Sequence, residues 1–67
     1  MKLTLLGTSS DRGDCPSVYS TDQDTLVVQG WKITDPDALA AMKIPDHETA
    51  VEIPRALLQF FPPAPDA

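Results

Sequence analysis

Thr25-Leu26-Val27-Val28-Gln29-Gly30-Trp31-Lys32-Ile33 is the stretch whose reading decides the fold. Its β-branched and aromatic content marks a strand, and turn-forming residues flank it: Thr21-Asp22-Gln23-Asp24 before, Thr34-Asp35-Pro36-Asp37 after. The alternation breaks in the middle, because Leu26 and Val28 share one face whereas Trp31 and Ile33 fall on the other. One inserted residue repairs it. The pattern therefore predicts a bulge at Gly30 that keeps Leu26, Val28, Trp31 and Ile33 on the core side, with Val27, Gln29 and Lys32 opposite.

Working outward towards the N-terminus, residues 17–20 form the partner strand. The connector 21–24 has the length of a four-residue hairpin loop, which sets Tyr19 opposite Leu26 and Val18 opposite Val27. Residues 2–6 alternate again, with Leu3 and Leu5 on a covered face and Leu6 on the other. Residues 7–16 are crowded with Thr, Ser, Asp and Gly, whose side chains compete for backbone hydrogen bonds, and read as a mobile loop.

Towards the C-terminus, Asp35 stands where a helix cap belongs, Pro36 suits the first turn, and Asp37 complements the helix dipole. A short helix follows, with Leu39 and Met42 on one face, Lys43 at its end and Pro45 as a barrier to extension. After the turn Asp46-His47-Glu48, residues 49–53 make a fourth strand with Val51 and Ile53 inward. Pro54 opens a second helix to residue 61. At 100° per residue, Leu57, Leu58 and Phe61 form its core stripe, while Ala56 and Phe60 widen the apolar arc to roughly 200°. Phe60 is then available for a second surface. Residues 62–67 read as a proline-rich flexible tail.

The expected fold class is α+β: a small antiparallel sheet or curled barrel of three to four strands, with two short helices on one face. Residues 1–61 form a single domain. With 67 residues there is room for one thin core and no more, since a domain this small buries only about 60% of its unfolded surface. A 42% hydrophobic content with 22% charged residues argues against wholesale disorder.

Ten acidic residues against five basic ones give a net charge of −5, which argues against a general nucleic-acid binder. Lys2, Arg12, Lys32, Lys43 and Arg55 form no run. No apolar stretch approaches the roughly 18 residues of a membrane span, and residues 1–7 lack the apolar core of a signal peptide. The single cysteine rules out an internal disulfide and a four-cysteine zinc site, so a reduced, cytoplasmic setting is expected.

No chemistry-bearing motif completes itself. Cys15 sits between Asp14 and Pro16, and a neighbouring negative charge opposes the thiolate a nucleophile needs. His47 between two acids lacks the spaced ligand pattern of metal sites. Gly7-Thr8-Ser9-Ser10 follows a strand, yet the Walker pattern fails because Gly13 precedes Asp14. Arg12-Gly13-Asp14 spells an integrin-binding tripeptide without any mark of secretion. There is no Gly-x-Ser-x-Gly turn, and so thin a core leaves little room for a pocket of about 300 Å³. No catalytic, cofactor or metal residue is assigned, and the chain reads as a non-enzyme.

Three segments, Cys15-Pro16-Ser17-Val18-Tyr19, Leu26-Val27-Val28-Gln29-Gly30-Trp31-Lys32-Ile33-Thr34-Asp35-Pro36 and Ile44-Pro45-Asp46-His47-Glu48-Thr49 with Val51-Glu52-Ile53-Pro54, together resemble a group of short actinobacterial proteins to which no activity is assigned. The resemblance spans residues 15–60. It implies a small bacterial cytoplasmic protein of a kind encoded near transcriptional regulators, and identifies no catalytic residue.

The functional expectation is a non-enzymatic protein-interaction module with a regulatory role, contacting a protein partner or a second copy through Trp31 and Phe60. Trp31 is the more evenly balanced of the two, since the bulge turns it inward whereas an exposed Trp on a sheet anchors interfaces. The alternative, a nucleic-acid-binding regulator using a small barrel surface, is opposed by the charge.

Overall fold

The computed structural model describes residues 1–9 and 15–63. Strands β1 (Leu3–Thr8), β2 (Ser17–Thr21) and β3 (Leu26–Gln29) form an antiparallel sheet in the order β1-β2-β3. Strands β4 (Trp31–Lys32) and β5 (Val51–Glu52) pair separately as a short ribbon. Between them lies α1 (Pro36–Met42), and after β5 comes a 3-10 helix (Arg55–Phe60). The architecture is mixed α+β. The sheet does not close, so the curled barrel is not formed.

The β2–β3 hairpin is one residue out of the expected register. Tyr19 faces Val27 and Val18 faces Val28. The cause is the loop: the Thr21 amide donates to the Thr25 carbonyl at 3.0 Å, which closes three residues, Asp22-Gln23-Asp24, instead of four. Asp24 takes a φ of 60°, the left-handed residue that ends such a loop. Thr21 Oγ1 accepts from the amides of Gln23 and Thr25 at 3.0 and 3.3 Å, holding the tight turn. A one-residue slip changes every cross-strand pair, so the side-chain chemistry of Thr21 decides which residues meet.

A bulge does occur, but in β1. Leu5 faces Tyr19 and Gly7 faces Val18, leaving Leu6 as the inserted residue. Gly7 and Thr8, expected in a loop, thus continue the strand; residues 10–14 of that loop lie outside the described residues. At Gly30 there is no bulge within one strand. The chain passes there from the sheet to the ribbon, so the face of Leu26 and Val28 is not inherited by Trp31 and Ile33.

The apolar core gathers on one side of the sheet, although Ser17, which points to the other side, is fully buried as well. Gly7, Val18 and Val28 form a row across the three strands, and the 3-10 helix covers it. Val18 and Leu57 are fully buried. A Cβ on Gly7 would run into the Phe60 ring, so this position must be glycine for the helix to settle on the strand.

The second helix is 3-10 rather than α, and this rearranges its faces. At three residues per turn, positions i and i+3 eclipse. Leu57 and Phe60 then stand together over the sheet, whereas Leu58 turns outward and is 58% exposed. The expected stripe of Leu57, Leu58 and Phe61 is corrected accordingly. Phe60 packs against Gly7 of β1 and is half-buried, so part of its ring remains at the surface.

Helix α1 forms as its signals require. Asp35 is the N-cap, its carboxylate accepting from the Asp37 amide at 3.2 Å, with Pro36 in the first turn. Lys43 ends the helix in the left-handed region at φ 50°. Yet α1 has no fully buried residue, and the 3-10 helix is the helix that packs on the sheet most closely among the described residues. The fourth-strand region shortens to Val51–Glu52, where Val51 is exposed and Ile53 half-buried. Of the tail, Pro62 and Pro63 line a groove against the hairpin; residues 64–67 lie outside the described residues.

Candidate interaction surface

Trp31 opens β4 and pairs directly with Glu52 of β5, while Lys32 pairs with Val51. Directly opposed residues share a face, so the ribbon presents Trp31 with Glu52 on one side and Lys32 with Val51 on the other. Trp31 is 48% exposed. The inward position expected from the bulge is corrected, for the reason given above: the indole belongs to the ribbon and not to the three-stranded sheet.

Gly30 fixes where the ribbon starts. A Cβ at this position would lie 2.7 Å from the Glu52 carbonyl oxygen and 2.8 Å from a methyl of Ile53, so the glycine lets the two backbones cross closely. The indole and the Glu52 carboxylate are therefore held next to each other by backbone pairing rather than by side-chain chance. An aromatic face beside a carboxylate suits an arginine or lysine of another chain, which can stack on the ring and pair with the acid.

Three large apolar side chains outside the expected site are also exposed: Leu58 on the 3-10 helix, and Leu39 and Met42 on α1. Leu58 was legible only to a reader who knew the helix to be 3-10. A second exposed apolar region lies on β1, where Leu3 and Leu5, expected on a covered face, are 49% and 50% exposed. The 3-10 helix takes the opposite side of the sheet; on the face carrying Leu3, Leu5, Tyr19 and Val27, Ser17 is fully buried and Tyr19 and Val27 are half-buried.

A groove of about 350 Å³ runs between the hairpin and the C-terminal prolines, lined by Ser20, Thr21, Asp24, Thr25, Leu26, Pro62 and Pro63. Even so small a chain thus forms a groove of that volume, contrary to the expectation from its thin core. The lining offers three hydroxyls and one carboxylate, with no histidine, lysine or cysteine to activate them.

The remaining candidates stay apart. Cys15 lies 3.9 Å from the Gln29 carbonyl oxygen and is partly exposed. His47 Nε2 stands 3.7 Å from a Glu48 carboxylate oxygen, both side chains largely in solvent. Among the described residues no three His, Cys, Asp or Glu side chains gather as metal ligands. Arg12-Gly13-Asp14 lies outside the described residues. No helix among the described residues is long and apolar enough to cross a membrane.

No family model, curated protein or solved structure matches this chain. Its class rests on its own geometry: a small open α+β fold with a thin core and exposed apolar strands.

Proposed function

We propose that this protein is a non-enzymatic interaction module with a regulatory role in a bacterial cytoplasm, and that Trp31 is its principal partner-binding residue. The observation that carries the reading is a half-exposed indole held opposite Glu52 on a two-stranded ribbon. Tryptophan is among the residues enriched at interface hot spots. The adjoining carboxylate and the net charge of −5 favour a protein partner that offers a basic side chain. Nucleic acid is not the proposed partner, since the same charge repels phosphates. The single cysteine and the resemblance to short actinobacterial proteins support the compartment and the regulatory setting.

The test is affinity capture from the native host with the wild-type chain, Trp31→Ala and Glu52→Gln side by side. A protein retained by wild type, lost by Trp31→Ala and weakened by Glu52→Gln supports the reading. Equal retention by all three, with circular dichroism confirming that the variants fold, sinks it.

A further inference from the structure

We infer that the Trp31–Glu52 pair is a seat for one arginine side chain of the protein partner, taken in preference to lysine; the inference rests on the partner reading above. The ribbon register sets the two residues directly opposite each other, and opposed residues of an antiparallel pair hold their Cβ atoms about 4.5–5.5 Å apart. Both side chains are open to a visitor, Trp31 at 48% exposure and Glu52 likewise exposed. Ring and acid are thus offered together.

The chain supplies no cation of its own to this acid. Lys32 pairs with Val51 and so lies on the other side of the ribbon, while Arg55 opens the 3-10 helix without pairing with Glu52. Among the described residues the Glu52 carboxylate has no ion-pair or hydrogen-bond partner. A cation brought by another chain therefore displaces nothing.

Geometry selects the kind of cation. A guanidinium is flat, so it lays one face on the indole while its in-plane N–H groups reach past the ring edge to donate to the carboxylate beside it. An ammonium is compact and strongly hydrated, and it satisfies either the ring or the acid at one time. Methylated lysine is held by a cage of several rings, whereas Trp31 has no contact with another aromatic ring among the described residues. Tyr19 belongs to the three-stranded sheet, and Phe60 packs against Gly7. One ring with one acid fits arginine.

The chain has a single tryptophan, so the indole Nε1–H gives one NMR resonance that reports this position alone. The wild-type chain is titrated at constant ionic strength with N-acetyl-arginine amide, N-acetyl-lysine amide and N-acetyl-citrulline amide, the last being planar but uncharged. The expected result is a saturable shift of the Trp31 indole and Glu52 amide resonances, with the arginine probe binding at least about threefold tighter than either of the others. Glu52→Gln should bring the arginine and lysine probes within about twofold of each other, and Val51→Thr, on the other side of the ribbon, should leave the preference intact. A lysine or citrulline probe that binds as tightly as arginine overturns the inference, as does an arginine affinity unmoved by Glu52→Gln, or no saturable shift with any probe. Should a variant fail to fold, the three probes on the wild-type chain still decide. A host protein lost by Trp31→Ala in the capture experiment, with the arginine preference missing here, removes this inference and leaves the partner reading standing.

Discussion

Gly7 and Phe60 meet across the gap between strand and helix, and the contact tolerates no side chain on the strand. Gly7→Ala should destabilise the fold by about 1–3 kcal/mol, the usual range for overpacking a formed core. Adding Phe60→Ala removes the obstruction, so the double variant should be more stable than the two single losses add up to, as urea melts of the cycle can measure. Lys43 poses the opposite case. Its left-handed backbone is costly for a residue with a Cβ and nearly free for glycine, so Lys43→Gly should stabilise by about 0.5–1 kcal/mol in the same melts. Residue-level signals of this kind divide by range. The Asp35 cap and the Pro36 first turn were legible because their partners sit within two residues. The requirement for glycine at position 7 was not, because Phe60 reaches it from the far end of the chain.

At the scale of elements, the 3-10 helix and the ribbon show how a small change of geometry reassigns side chains. Leu57→Ala should cost about 2–5 kcal/mol, since Leu57 is fully buried, while Leu58→Ala should cost well under about 1 kcal/mol. An α-helix with the stripe expected from 100° spacing would make the two losses similar, so chemical denaturation of the pair discriminates the geometries. Gly30→Val should destabilise the fold as well, through collision with the Glu52 backbone and the Ile53 side chain. If Gly30→Val melts with the wild type, the close crossing of β4 and β5 is wrong. The hairpin carries the same lesson. Its strands were legible from β-propensity, but its register depended on Thr21 closing a three-residue loop, which composition does not distinguish from a four-residue one.

Across the described residues the apolar core is gathered under one short helix, while exposed apolar side chains are spread over sheet, ribbon and α1. A chain with net charge −5 and no basic run should show negligible binding to generic duplex DNA at physiological salt, read by fluorescence anisotropy. Micromolar binding there would reverse the choice of a protein partner. Trp31→Ala should lower stability only modestly, by less than about 2 kcal/mol, because half of the indole is already in water. By itself the sequence determined what depends on near neighbours and on totals: strand-forming segments, a capped short helix, a mixed α+β class and an acidic surface. The tertiary structure alone decided which face of each element is covered. Covering depends on where distant segments cross, and the meetings of Gly7 with Phe60 and of Gly30 with Glu52 join residues more than twenty positions apart.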